Sequence, residues 1–432
     1  MRYGEGILGG AEAHCRAVVE RLAARGHDVR VLTTTASSYK SWRNALPEGE
    51  DRVGGVRVTR FPTVTPRLTP LDEVLKWTTT AMKEGSKGLA RLAAFDRWSS
   101  RRKSLQGAME RAWIKAQGPV SPKLIEALPN VDADVIVFFG YLYYPSIFGI
   151  PKVSARAVLA PLADEEPMLY APIVRDTLRA PRALIMNVDE EADRVRAIIA
   201  PQRVPMAVVA LGIDPPPPPS IYPRPTNNPF ILLLGRAGKT RPMAPVWRAL
   251  TAMRDAGTIE LDDGLRVDAS ELWLVTAGEV SRHLEGLERV VQLGHVDAAT
   301  RWGLTRDALS MVSSSTTESL SLVLLEGWLA GTSGVVNARC DATDGHVRRC
   351  DGGVSLDFTR PDEAARALLD AVRSTTLRRA RAARGKAYVE RRYAWPAVLD
   401  AYERVAGAIA EGGDVASSLR SWAEGANAWF AD

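Results

Sequence analysis

Cysteine is scarce in this 432-residue chain: Cys15, Cys340 and Cys350 are the whole set, and no C-x-x-C pair occurs. That leaves neither a disulfide framework nor a zinc site, and a reducing, cytoplasmic setting is expected. Histidine is equally rare, with five residues and no H-E-x-x-H pattern, so no metal is expected. Long apolar runs are missing too. None approaches the ~20 residues of a membrane span, and the first residues carry no signal-peptide apolar core. RNP-like and zinc-finger patterns are absent, so nucleic acid is not an expected partner.

What is present is an ordinary globular composition, 46% hydrophobic and 25% charged. The net charge of +5 suits anionic small molecules or an anionic membrane surface. Extended runs alternate with helical patterns, which implies parallel sheets covered on both faces. The runs fall at 28–34, 56–61, 133–139, 157–160, 184–186 and 207–211. A second series follows at 230–234, 271–276, 290–293, 310–312, 335–337 and 353–356. Residues 64 to about 118, with Trp77, Trp98, Trp113 and many basic residues, read as mostly helix. This segment is expected to pack on the first domain, with a lipid-linked acceptor or membrane surface as the other use. Pro215 to Pro219 are consecutive prolines, a stiff spacer that no helix or central strand tolerates. The expected division is therefore α/β in two parts: residues 1–212, a linker at 213–225, a second domain at 226–395 and a helical segment at 396–432.

Three stretches are suited to chemistry. Gly9-Gly10 stand at a helix start, where backbone amides and the helix dipole favour an anion; a plain tight turn fits them equally. Arg236, Lys239 and Arg241 cluster with Gly235 and Gly238 after the first strand of the second domain. Such cations neutralise a leaving diphosphate as its charge grows, although the spacing is not that of a Walker A loop. Glu318 and Glu326 are separated by seven residues, one before and one within an apolar helix. The serines between 313 and 321 are suited to capping that helix. Glu326 is flanked by Leu324, Leu325 and Trp328, so its carboxylate needs hydrogen-bond partners.

Taken in order, Gly9-Gly10-Ala11-Glu12, Arg25-Gly26-His27-Asp28-Val29, Gly212-Ile213-Asp214, Gly235-Arg236 and Glu318-x7-Glu326 resemble the family 4 glycosyltransferases of the GT-B fold. The most specific part is the segment from Thr317 to Thr332, which is similar to E-G-F-G-L-x-x-x-E-A-x-A-x-G-x-P. The resemblance implies two Rossmann-like domains facing a central cleft, with C-terminal helices packing back across. It also implies sugar transfer from a nucleoside diphosphate to an acceptor hydroxyl, with retention and without a metal, in polysaccharide or glycoconjugate biosynthesis. The nucleotide sugar is substrate, and no other cofactor is expected. Carried over by residue, Glu326 would hold the ribose and Glu318 the donor sugar. Arg236 with Lys239 or Arg241 would hold the diphosphate. Gly9 and Gly10 would lie near phosphates and sugar, Ser321 and Leu322 would present amides to the distal phosphate, and Ser319 would also belong to the donor site.

The sequence departs from that pattern in four places. Only eight residues precede Gly9, so the strand that normally feeds this loop is either upstream or lost. A missing central strand would leave two neighbours with unpaired backbone groups. Ser319 and Ser321 replace glycines of the signature, and Leu320 replaces its phenylalanine. The stretch 138–144 lacks the usual histidine. The loop at 161–167 also lacks one and offers Asp164 or Glu165 instead. His346 with Arg348 and Arg349, between two strands, reads either as a flank of the acceptor or the base or as a solvated loop. These departures keep two alternatives open: a non-catalytic relative that binds nucleotides or acts as a scaffold, and a nucleotide-sugar epimerase of similar architecture.

Overall fold

The structure, a computed structural model, describes residues 2–7, 9–68, 96–235, 238, 241–253, 257–426 and 430–431. It divides into two compact units. The first comprises 1–187, 191–211 and 398–432, and the second 188–190 and 212–397. The residues from Val398 onward thus group with the first unit.

In the first unit, β1 (Arg30–Thr34), β2 (Gly49–Val53) and β3 (Val56–Phe61) form a small sheet of order β1-β3-β2. β1 and β3 are parallel, while β2 and β3 form a hairpin whose turn is made by Gly54 and Gly55. A separate sheet holds β4 (Ile136–Phe139), β5 (Ala157–Ala160), β6 (Ala183–Met186) and β7 (Met206–Val208), all parallel. The backbone of Phe430–Ala431 adds antiparallel to β7. β5, β6 and β7 are buried at every position, as apolar runs covered on both faces must be. The expected strand at 207–211 stops at Val208, because Ala210 turns the chain with a φ of 60°. Of the stretch read as helix over 64–118, Asp96–Gln117 is helical. Trp77 and the basic residues up to Arg91 lie outside the described residues. Trp113 is 1% exposed and belongs to the core beneath β4 to β7.

The second unit holds one sheet of six parallel strands. These are β8 (Phe230–Gly235), β11 (Trp273–Gly278), β12 (Val290–Gln292), β13 (Ser310–Ser313), β14 (Gly334–Asn337) and β15 (Gly353–Leu356), in the order β12-β11-β8-β13-β14-β15. A short hairpin of β9 (Thr258–Glu260) and β10 (Arg266–Asp268) was not expected from the sequence. β11 begins two residues later than its apolar run. Asp268 accepts a hydrogen bond from the Ser270 amide and starts a 3-10 turn over Ala269–Glu271. His346 and Arg349 correct the reading of a solvated loop: they lie on a helix, Asp341–Cys350, and His346 is fully buried. No helix among the described residues is long and apolar enough to cross a membrane.

Trp328 anchors the second unit. Its side chain is wholly buried, its indole N–H donates to the Gly352 carbonyl at 2.8 Å, and its ring fills the space that a Cβ on Gly385 would need. Trp328→Ala should cost about 3–5 kcal/mol. Trp328→Phe should cost less, about 0.5–1.5 kcal/mol, because it removes that hydrogen bond while the carbonyl still accepts from the Gly334 amide. Denaturant unfolding of both variants checks the order.

Candidate functional site

The topology of the second unit selects a location before any side chain does. The chain runs β8, β11, β12 outward on one side and then returns to the other side of β8 as β13. The loops after β8 and β13 therefore diverge at a switch point. In open parallel sheets that crevice, at the carboxyl ends of the strands, is where ligands sit. The approach of β8 and β11 is close there: a Cβ on Gly278 would lie 2.2 Å from the Gly235 carbonyl oxygen, and Gly278 has a φ of 124°.

Arg241 from the loop after β8 meets Glu318 from the loop after β13, with 2.6 Å between Nη2 and Oε1. The side chains are 29% and 11% exposed, so solvent screens this pair less than a surface pair. Arg236 and Lys239, the other two cations expected here, lie outside the described residues. Ser319, Ser321 and Leu322 occupy the turn into the helix Leu322–Leu329. The expected serine cap is not observed. Ser321 is the N-cap residue, but its side chain makes no capping bond and its backbone is left-handed, with φ 64° and ψ 67°. The signature has glycine at this position, and the conformation explains the preference, since a Cβ in this region costs about 1–2 kcal/mol.

Glu326 has a partner that was not foreseen. Arg301, from the helix Ala298–Asp307, donates directly to its carboxylate and lies over the Trp302 ring. Burial pushes the Glu326 carboxyl up, Arg301 pulls it down, and nearby Asp214 adds to the upward shift. Nothing in the sequence pattern singles out Arg301, because the contact exists only once the helix has packed.

Behind the loop stands His346. Its Nε2–H donates to the Leu320 carbonyl at 3.0 Å, and its Nδ1 accepts from the Tyr388 hydroxyl at 2.9 Å. A carbonyl can only accept, so this pair of bonds fixes the neutral tautomer. Burial brings the imidazole down to about 3, and the guanidinium groups of Arg349 and Arg392 act in the same direction. His346 thus joins the helix Asp341–Cys350 to the backbone between Ser319 and Ser321.

In the first unit, Gly9 is the extended N-cap of the helix Gly10–Ala24. The Glu12 carboxylate folds back over Gly9 and pairs with Arg2 at 2.9 Å. Asp164 lies in the loop after β5. Glu165 is tied to Arg194 and to the Tyr170 hydroxyl, and Glu166 accepts from the Tyr141 hydroxyl at 2.7 Å. The loop is held from below by Glu191, which accepts from the amides of Ala163 and Asn187, each at 2.6 Å. Burial pushes Glu191 up to about 7 against the pull of those two amides. Its position was detectable: Glu191, Val195 and Ile199 share the buried face of one helix, and a carboxylate on an apolar stripe is a buried carboxylate.

The chain has the GT-B fold. Among solved structures, the chain is similar to an α,α-trehalose 6-phosphate synthase from Burkholderia multivorans, with a TM-score of 0.63 and 12% identity over 98% of both chains. A UDP-forming α,α-trehalose-phosphate synthase from Burkholderia xenovorans, in complex with glucose-6-phosphate, gives 0.60 and 13% over 93% of this chain and 98% of that one. Sucrose-phosphate synthase from Thermosynechococcus elongatus gives 0.54 and 16%, covering 95% and 96%. No protein-family model and no curated protein matches the sequence. At such identities the likeness establishes the fold, and the chemistry has to be argued from the site.

Two measurements test the loop. Ser321→Gly should raise stability by about 1 kcal/mol, by removing a Cβ from left-handed backbone; a loss would show that the serine hydroxyl is needed. His346 is neutral in the folded protein down to about pH 3, whereas an unfolded histidine protonates near ~6.5. The unfolded chain therefore binds the extra proton between these values, and stability falls as pH drops through that window. His346→Gln should flatten this part of the stability–pH curve. An unchanged slope would mean that His346 protonates in place.

Proposed function

We propose that the chain is a retaining glycosyltransferase of the family 4 type. It moves a sugar from a nucleoside diphosphate to an acceptor hydroxyl, with polysaccharide or glycoconjugate assembly as the setting. The observation that carries this reading is the Arg241–Glu318 pair at the switch point of a six-stranded parallel sheet. One group there suits a diphosphate and the other suits sugar hydroxyls. The neighbours support the substrate class, since the Burkholderia xenovorans enzyme is UDP-forming and was captured with a sugar phosphate.

The chemistry follows from the residues. As the glycosidic bond breaks, the ring becomes oxocarbenium-like and negative charge gathers on the departing diphosphate. Arg241, with Arg236 and Lys239, would neutralise that charge, and fixed charge aimed at a developing anion is worth most in a partly dry crevice. An arginine offers five donors, so Arg241 can keep one bond to Glu318 while it binds phosphate. Glu318 would then hold hydroxyls of the donor sugar. Glu326, oriented by Arg301, would accept from the ribose. The amides around Ser319, Ser321 and Leu322 would face the distal phosphate on a loop set by His346. In the first unit, Gly9, Gly10 and Asp164 would meet the sugar and the acceptor. Retention requires the acceptor to approach on the face that the diphosphate leaves, which is positioning work.

Isothermal calorimetry with a panel of nucleoside diphosphate sugars, followed by a transfer assay, tests the proposal. Arg241→Ala and Arg236→Ala should each lower kcat by roughly 10²–10³. Glu326→Ala should act mainly on donor affinity and KM. Wild-type turnover in all three would reject the site. Binding without turnover in the wild type would leave a nucleotide-binding scaffold, and isomerised donor without acceptor consumption would point to an epimerase.

A further inference from the structure

The proline-rich segment at the start of the second unit is exposed at Pro215, at the prolines 217–219 and, fully, at Ile221. Tyr222 turns inward. Its ring packs against the apolar cluster that contains Phe230, Leu304 and Ala308, and it fills the space that a Cβ on Gly303 would need, 2.1 Å from Cδ1. Its hydroxyl donates to the Asp307 carboxylate at 2.6 Å. Burial and that carboxylate push the phenol up, so the hydroxyl stays a donor. Arg306 reaches the same segment and donates to the Pro217 carbonyl. The prolines ahead of Tyr222 stiffen the backbone, which gives the ring a fixed place to press from.

Gly303, Arg306 and Asp307 belong to the helix Ala298–Asp307 and share the face that meets this segment. Arg301 lies on the opposite face, because two residues turn an α-helix by about 200°. There it donates to Glu326 and is steadied by the Trp302 ring, 4.7 Å away. The helix is therefore held between Tyr222 on one side and Glu326 on the other. Gly303 sets how closely they approach, since a side chain at 303 would displace either the ring or the helix. The aim of Arg301 matters to Glu326 in two ways. A carboxylate has about four lone-pair sites, so a bond from one side leaves the others for a ligand. Burial pushes this carboxyl up and Arg301 pulls it down, which favours the ionised, accepting form.

We infer that Tyr222 is a positioning residue for the donor ribose: wedged against Gly303 and bonded to Asp307, it holds the helix that aims Arg301 at Glu326. This inference rests on the proposed role of Glu326 and adds to it a residue that touches no substrate. A carboxylate that must meet ribose hydroxyls has to be held in one orientation, and an arginine on a ten-residue helix is aimed only as well as that helix is seated. The proline-rich segment thus belongs to the donor site through its packing.

The test is calorimetry of the full chain with UDP, GDP and ADP, each beside its 2′,3′-dideoxy form. The wild-type protein should prefer the ribose form of the nucleotide it binds by at least ~10-fold, the worth of a hydrogen bond to a charged group. Tyr222→Ala should cut that preference below ~3-fold while affinity for the dideoxy form stays as in the wild type. Tyr222→Phe keeps the ring on Gly303 and should restore most of the preference. Gly303→Ala should match Tyr222→Ala, and the double variant should be no worse than either, because removing the ring frees the space for the added Cβ. Ile221→Ala, one residue away and facing solvent, should behave as wild type. If Tyr222→Ala does not fold, Gly303→Ala carries the comparison. A smaller fraction of binding-competent chains with an intact preference overturns the inference, since it marks a purely structural role. A preference lost in Glu326→Ala but intact in Tyr222→Ala and Gly303→Ala overturns this inference alone and leaves the proposed site standing. A wild-type protein that binds none of these nucleotides, or that ignores the ribose hydroxyls, overturns the role of Glu326 and this inference with it.

Discussion

A strand inside a parallel sheet must find hydrogen-bond partners on both of its edges, and this requirement organises the protein. β8 meets it with β11 on one side and β13 on the other. Because the chain builds outward first in one direction and then in the other, the loops after β8 and β13 part company at a single place. That divergence is a consequence of backbone pairing alone. It brings Arg241 beside Glu318 although 77 residues of sequence numbering separate them. The charge pair is thus an effect of topology, and it puts a guanidinium and a carboxylate side by side at the switch point.

Loops at such a crevice have no ladder of their own to hold them, and here buried polar side chains take that role. His346 grips the Leu320 carbonyl from behind, and Glu191 grips the amides of Ala163 and Asn187 in the other unit. Each would be expensive if left unpaired in the interior. Each is fully satisfied instead, and each is biased to its neutral form by burial: the imidazole down to about 3, the carboxyl up to about 7. The loop with Ser319 and Ser321 and the loop with Asp164 are therefore positioned by groups that never need to touch a ligand.

Much of this was legible in the residues. The strand Phe230–Gly235 is an uninterrupted apolar run closed by glycine, and the helices Leu322–Leu329 and Pro361–Val372 fall where periodicity places them. The Glu318-x7-Glu326 spacing pointed to the loop after β13 and the helix that follows it, whereas the pairing of Glu318 with Arg241 was not foreseen. The hairpin of β9 and β10 was missed because its strands are three residues long, although Asp263-Gly264 is a turn signal. Arg301 was invisible, since it reaches Glu326 only through the packing of a separate helix. His346 was misread because Gly345 and Arg348-Arg349 look like a polar turn. Its buried face becomes evident only when Tyr388 and Leu320 arrive from distant parts of the chain.

The serine at 321 separates the constraint of the fold from that of the residue. A left-handed backbone at the start of the helix Leu322–Leu329 is dictated by the path from β13 into the crevice. Glycine meets that demand without strain. Serine meets it at some cost and adds a hydroxyl that makes no cap. With a Cβ in place, this turn is held by the surrounding contacts: His346 on the preceding carbonyl, and the buried Leu324, Leu325 and Trp328 that follow. Strain of this kind survives only where the rest of the structure over-determines it. The amides of this turn are therefore held in place whether or not the side chain favours the conformation. A loop set in advance can stabilise developing charge without reorganising at the moment of reaction.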